Sequence, residues 1–440
     1  MQKNASKPSV GFRQIFEALL PGRRIRYWFK VFGPVLRRPP LVTAQELLMG
    51  LVFHVMAGAG TLAQHVKVVT GKTITDGALS QRRTALPWAL FEQLLAEALR
   101  PKAQERKHPE AFYEGLRLCG IDGSRFSVTN TPQVKKSMPK AASRRFKAAF
   151  AKVGVAVMVE LGLHNPLAAA IGPKEESEMV LARQLLAHLP ERSLLICDRY
   201  YGVPVLLIEL KELHPAGREF LVRVRRGLKR RVLETYADGS ARVEIRAGKK
   251  KLQVREITGK VRRGKSSWSQ VRLWTSLLDG KKHSAATLLA LYARRWEQES
   301  FYRELKVDLR SAELIQSHTP TTAAQEIAAL IMAYAILVEE RIQAAKAGEV
   351  PVLRISFLKT LEAVRGLWHF LEMTEDLLDA RQIRLAVRRT MRRIAEMAIA
   401  KRRQRSCPRA LRQPVSSWPR LVKNSYAKDA PEYELIAITK

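Results

Sequence analysis

The spacing of apolar residues changes character three times along this chain of 440 residues. Up to about residue 110 it is helical. "TAQELLMGLVFHVMAGAGTLAQHVKVVTG" repeats apolar positions at three and four residues, with a small-residue break at Ala57–Gly60. "TDGALSQRRTALPWALFEQLLAEAL" opens with turn chemistry and continues as an amphipathic helix. Short helices joined by Gly turns, with Arg82 and Arg83 near a helix start, are compatible with a helix-turn-helix-like DNA module and equally with a plain helical bundle. From 116 the pattern turns to strands. "LRLCGIDGSRFSV" reads as an apolar strand interrupted at Asp-Gly, "VGVAVMVEL" as a buried strand, and "NPLAAAIG" as a third. The basic connection "TPQVKKSMPKAASRRFKAAFAK" separates the first two. The helix "SEMVLARQLLAHL" follows, and then a short strand ending in a carboxylate, "SLLICD". Three strands, a helix and another strand predict a mixed α/β sheet.

Between about 217 and 280 apolar residues alternate with basic or polar ones, in "EFLVRVRR", "RVLETYADGSARVEIR", "KLQVREI" and "SQVRLWTSL". This is the period of half-buried antiparallel sheet with arginines on its wet face. A helix after Ser284, a plausible N-cap, carries "YARRWEQESFYRELKVD", and "TTAAQEIAALIMAYAILVEERIQAA" reads as a buried helix. The remainder is helical and increasingly basic, ending in a loosely ordered segment rich in Pro, Ser and Trp. The expected organisation is a helical N-terminal domain over 1–110, an α/β core over 111–345 interrupted by a β-rich insertion at about 217–280, and a basic helical tail over 346–440. The fold class is α/β in a multi-domain α+β chain.

Charge narrows the function. Net charge is +36 and pI about 10.6, far beyond what solubility requires. A polyanionic partner follows, nucleic acid first and an anionic membrane surface second. The longest apolar run, Ile327 to Val338, is short of the ~20 residues that span a bilayer, and the N-terminus shows no secretory h-region. Cys119, Cys197 and Cys407 have no metal spacing. A reducing, cytoplasmic protein without disulfides is expected, with two of the three as core thiols. There is no P-loop, so no nucleotide cofactor is expected, and there is neither a nucleophile elbow nor a zinc-type cluster.

Two aspartates end apolar strands: Asp122, followed by Gly-Ser, and Asp198, followed by "RYYG". Each is compatible with a turn or cap residue, and each with a cation ligand facing a cleft. On an ideal helix Tyr292, Arg295, Glu299 and Lys306 fall at about 0, 300, 340 and 320°, one stripe, whereas Glu297, Glu304 and Asp308 fall at about 120–160° and read as solvated. One carboxylate thus shares a face with a phenol, a guanidinium and an ammonium. That composition suits a site for a divalent cation and phosphates. It also suits an ordinary Arg295–Glu299 pair at i,i+4. Three carboxylates from two strands and a helix could hold two Mg²⁺ and direct water at a phosphodiester.

The spacing Y-x2-R-x3-E-x6-K, present as Tyr292, Arg295, Glu299 and Lys306, resembles the signature of the DDE transposases of bacterial insertion sequences, in the group typified by insertion sequence four. Asp122 in "IDGS" and Asp198 in "CDRYYG" resemble that family's two aspartates. The separations of 76 and 101 residues leave room for its β-rich insertion before the glutamate. The resemblance covers about residues 40 to 345. It implies a ribonuclease H-like core, two Mg²⁺ (or Mn²⁺) held by Asp122, Asp198 and Glu299, and phosphate contacts from Tyr292, Arg295 and Lys306. It further implies hydrolysis at the end of the element, attack by the freed 3′-OH on double-stranded DNA, and a homodimer on DNA. Trp268 and Trp274 are candidates to stack on a flipped base. The residues after Asp198 depart from the family's commoner pattern, with Tyr200 at the glycine position and Gly202 later. The basic residues Arg223, Arg225, Arg230, Arg231 and Lys249–Lys251 of the insertion, and Arg388, Arg389, Arg392, Arg393, Lys401, Arg402 and Arg403 of the tail, are expected to follow the DNA backbone. The competing readings are a ribonuclease H-like nuclease that cuts without rejoining and a non-catalytic basic DNA-binding protein.

Overall fold

The structure is a computed structural model and describes residues 10–35, 38–138, 149–174, 176–225, 227–263, 267–310, 314–374 and 377–400. Six helices come first: α1 (Val10–Leu19), α2 (Gly22–Phe32), α3 (Ala44–Ala57), α4 (Leu62–Thr70), α5 (Asp76–Ala85) and α6 (Trp88–Ala98). Their ends are written in the sequence. Thr43 and Thr61 cap α3 and α4 through complete capping boxes with Glu46 and Gln64, and Gly71 closes α4 in the left-handed conformation. Arg82 and Arg83 lie in the last turn of α5 and not near a helix start. Arg83 donates to Ser317 Oγ at 3.0 Å and to the Thr322 carbonyl at 2.9 Å, and Arg82 donates to the Val42 carbonyl. Both arginines hold packed elements together, and their position at the end of α5 differs from the expected one.

A short pair, β1 (Phe112–Tyr113), leads into β2 (Leu116–Val128), α7 (Pro132–Ser137), β3 (Ala151–Glu160), β4 (Asn165–Gly172), α8 (Glu178–Leu186), β5 (Ser193–Cys197), α9 (Pro204–Leu213) and β6 (Arg218–Arg223). Next come β7 (Arg231–Thr235), β8 (Ala241–Ala247), β9 (Lys250–Arg263) and β10 (Ser267–Thr275). All belong to one mixed sheet ordered β4-β3-β2-β5-β6-β10-β9-β8-β7, with β1 paired to β2. In its first half β5 runs parallel to β2 and β6 parallel to β5, while β3 runs antiparallel to both β2 and β4. Segment "EFLVRVRR", expected in the insertion, is β6 and pairs parallel with β5, whereas β7–β10 form an antiparallel ribbon that joins the sheet at β6 through β10. β2 runs unbroken through Asp122-Gly123, which pair with Val157 and Ala156, so the interruption expected there is absent. The extended ladder on its β3 side satisfies the backbone groups that an Asp-Gly turn would have freed.

Strand alternation sends β2 and β3 side chains to two cores. Cys119, Ile121, Ala156 and Met158 face α8 and α9, whereas Phe126, Val128, Val153, Val155 and Val157 face the helical side. That side is built on α12 (Pro320–Ala347), which follows α10 (Ala285–Tyr292) and α11 (Trp296–Arg303). By length and composition α12 could cross a membrane, but most of it is buried between the sheet, α3, α6, α13 (Phe357–Thr374) and α14 (Ala380–Glu396). Cys119 and Cys197 are buried free thiols, as expected. Cys407 and the final Pro- and Ser-rich segment lie outside the described residues.

Candidate active site

Asp122 and Asp198 come together through strand register. β2 and β5 are parallel, with Cys119 opposite Leu195 and Gly120 opposite Ile196. Two residues further, the same register sets Asp122 beside Asp198, which follows the last residue of β5. Asp122 Oδ1 accepts the Gly123 amide at 2.9 Å, and Asp198 Oδ1 accepts the Tyr200 amide at 2.7 Å, closing a tight Asx turn. Gly202 lies against the backbone of Arg223, where a Cβ would collide.

The half-buried Asp122 carboxyl is pushed from its ordinary 3.8 up to about 7. Burial is the largest cause, and the charges of Asp198 and Glu178 act in the same direction. The Gly123 amide and Arg295 oppose them. Glu178 was not expected. It opens α8 directly after its N-cap, Ser177, a setting that the helix dipole alone explains at the level of sequence. What reveals it is Gly123, where a Cβ would lie 2.7 Å from Glu178 Oε1. The buried Tyr201 hydroxyl donates to that same oxygen at 2.8 Å.

The third carboxylate arrives from the helical side. Ser284 caps α10 as expected, but the stripe does not lie on one ideal helix. Tyr292 ends α10, Ala293–Arg295 form a 3₁₀ turn, α11 carries Glu299, and Glu304–Leu309 widen into a π turn. Lys306 still reaches the site. Its ammonium donates to Ser124 Oγ at 3.1 Å and the Arg125 carbonyl at 2.9 Å, and lies over the Phe126 ring at 5.3 Å. Arg295 donates to Glu299 Oε1 at 2.9 Å and stacks over Trp296. The Tyr292 hydroxyl is buried without a hydrogen-bond partner among the described residues, and burial raises its pKa.

The acids read as solvated are not. Glu304 is buried, accepts from Tyr334 at 2.5 Å and His164 at 2.9 Å, and faces Arg341 at 3.4 Å. Burial acts against its charge, but His164 and Arg341 hold its carboxyl down at about 2. Glu297 accepts from Arg294 and the Gly162 amide, and the half-buried Asp308 faces Arg303 at 3.7 Å. Helix phase separated these acids from the stripe correctly. Their face, however, meets the turn between β3 and β4 (His164), α12 and the segment leading to α13, and not solvent.

The donors available for a cation are all carboxylate oxygens, the ligand type of Mg²⁺ and Mn²⁺ and not of a structural zinc. Burial, with the neighbouring charges of Asp198 and Glu178, disfavours the ionised Asp122 carboxyl. Among the described residues, no three His, Cys, Asp or Glu side chains are gathered closely enough to hold an ion, and Glu299 is paired with Arg295. Trp274 is fully buried and donates to Glu256 Oε2 at 2.9 Å, so it is unavailable for base stacking as placed. Trp268 pairs with Arg262 in the β9–β10 ladder, and its side chain lies outside the described residues.

The sequence profile of the family described as "Transposase DDE domain" matches residues 115–336, which span β2, β5, the ribbon and most of α12. The chain belongs to the DDE transposase family. The resemblance carried by Tyr292, Arg295, Glu299 and Lys306 is borne out. Over 337 residues the chain is 23% identical to "Transposase InsG for insertion sequence element IS4" of Escherichia coli (strain K12), covering 72% of each chain. It is 27% identical over 140 residues to "Putative transposase InsZ" of the same organism, covering 32% of this chain and 46% of that one. Among solved structures it is similar to a piggyBac transposase synaptic complex with hairpin DNA, with a TM-score of 0.47 and 11% identity over 86% of this chain and 85% of that one. Members of the DDE family generally use divalent metals. Transposase activity on DNA is what membership implies for this chain.

Proposed function

We propose that this transposase binds the ends of an insertion sequence, cleaves DNA there and joins the freed 3′-OH to a second phosphodiester. The observation that carries this reading is the β2–β5 register, which sets Asp122 beside Asp198 with the Glu299 helix packed across both strands. A core of five strands in the order β4-β3-β2-β5-β6, with β3 alone reversed, is the ribonuclease H-like arrangement, and it supports the same reading.

Asp122, Asp198 and Glu299 would hold two Mg²⁺, or Mn²⁺, which when bound supply charge neutralisation at phosphorus and ease deprotonation of the attacking hydroxyl. The protein's own groups do the rest. Arg295 exchanges Glu299 for a phosphate, gripping it through two N–H groups. Lys306 offers a point charge beside β2, and Tyr292 a hydroxyl donor. Glu178 adds negative charge to the same end of the sheet and takes its hydrogen bond from Tyr201. The exposed arginines of α14 and of the ribbon follow the backbone of duplex DNA outside the cleft, and two copies hold two ends.

The test is Glu299→Gln. End binding should persist while Mg²⁺-dependent cleavage falls at least a hundredfold. Cleavage at the normal rate would remove Glu299 from the site. A wild-type protein that cuts ends but never joins them to target DNA would favour the nuclease reading.

A further inference from the structure

Gln298 precedes Glu299 in the chain and has no part in the signature, yet it is buried at 1% exposure. Its Nε2 donates to the Ile196 carbonyl at 2.7 Å, while its Oε1 is buried with no hydrogen-bond partner among the described residues. An apolar side chain of similar size would fill the space without leaving an oxygen unpaired, so packing alone does not account for an amide here.

The surface it meets is equally specific. A Cβ on Gly120 would lie on the Gln298 amide, 2.6 Å from Cδ and 2.9 Å from Cγ. Gly120 is not among the residues of positive φ, so space and not backbone conformation requires glycine there. Gly120 and Ile196 form one rung of the β2–β5 ladder, two residues before Asp122 and Asp198 respectively. One side chain therefore ties the residue before the third carboxylate to the rung beneath the first two.

We infer that Gln298 is a positioning residue for the cleavage reaction. Its amide, seated in the notch left by Gly120 and bonded to Ile196, fixes the height and rotation of α11. Glu299 is then held where it can turn from Arg295 towards Asp122 and Asp198. The inference rests on the catalytic reading proposed above.

The experiment uses the full chain and a duplex carrying the element end. Gln298→Leu keeps the volume and removes the tie. It should lower kcat for cleavage at least tenfold and raise the Mg²⁺ concentration needed for half-maximal rate, with KM for DNA within twofold and the thermal midpoint unchanged or higher. Gly120→Ala should be as damaging or worse. The double variant Gly120→Ala/Gln298→Ala should cleave faster than Gly120→Ala alone, because the new methyl occupies space the amide has left. Wild-type kcat in Gln298→Leu, or a double variant no better than Gly120→Ala, overturns the inference. So does a loss of rate that only mirrors a loss of stability. Glu299→Gln run alongside separates the two levels. If it remains active, the catalytic reading falls as well; if it is inactive while Gln298→Leu is normal, only the positioning role falls.

Discussion

Replacing Asp122 by Asn should make the metal-free protein more stable, and more so as pH rises. The folded state holds this carboxyl at about 7 against an ordinary 3.8. A raised carboxyl binds its proton more tightly folded than unfolded, so stability falls as pH climbs between these values. At ~1.4 kcal/mol per tenfold change in proton affinity, the full penalty is roughly 4 kcal/mol above pH 7, of which a little under half is already present at pH 5. Solvent reaching a half-buried group screens part of this, leaving roughly 2 kcal/mol of extra destabilisation between pH 5 and pH 8. Asn removes that component and keeps the acceptor for the Gly123 amide. Urea unfolding in EDTA, followed by tryptophan fluorescence at both pH values, measures it. Wild type should lose roughly 2 kcal/mol more than Asp122→Asn on going from pH 5 to pH 8, and Mg²⁺ should restore wild type at pH 8 but not the variant. If the two proteins track each other across pH, burial and like charge do not raise the Asp122 carboxyl, and the argument for a cation-seeking site loses its electrostatic support.

Other consequences are open to test. Glu178→Gln removes one of the like charges on Asp122 while keeping an acceptor for Tyr201; the acid limb of the pH–rate profile for cleavage should move to lower pH, and an unmoved limb would exclude coupling between the two acids. Glu304→Ala strands Arg341 and His164 in the core and should cost about 3–5 kcal/mol in urea unfolding at pH 7. Because the Glu304 carboxyl is held down at about 2, its contribution is present above the ordinary 4.5 and is lost as pH falls towards 2, so the gap between variant and wild type should close only in acid. The exposed Arg381, Arg388 and Arg392 share one face of α14; changing all three to Gln should reduce the slope of log K against log salt for non-specific duplex binding by about 2–3, and an unchanged slope would place DNA elsewhere.

The chemistry was more legible in the chain than the geometry that organises it. Asp122 and Asp198 could be singled out as candidates because a carboxylate ending an apolar run is expensive unless something uses it. The stripe could be proposed because Arg295 and Glu299 stand one turn apart, and that spacing survives the 3₁₀ turn before α11. The same phase argument failed for Glu304: phase states which residues share a face and not what that face meets, and the partners His164, Tyr334 and Arg341 lie some 140 residues before and 30 and 37 after it. The contacts of Arg83 were opaque for the same reason, since nothing near α5 announces Ser317 and Thr322. Asp-Gly in β2 was read as a turn because local propensity favours one, and a long ladder with β3 overrode it. Glu178, Gly123, Gln298 and Gly120 share a further kind of opacity. Each glycine is informative only through the side chain that fills its missing Cβ, and each partner lies more than 50 residues away. Two such notches on one strand, on either side of Asp122 and receiving a carboxylate from one face of the sheet and an amide from the other, explain why β2 tolerates three glycine or aspartate residues in four positions, Gly120 to Gly123, without breaking. Packing from both faces restores the order that those residues remove, and it does so around a carboxyl whose ionised form burial and like charge disfavour.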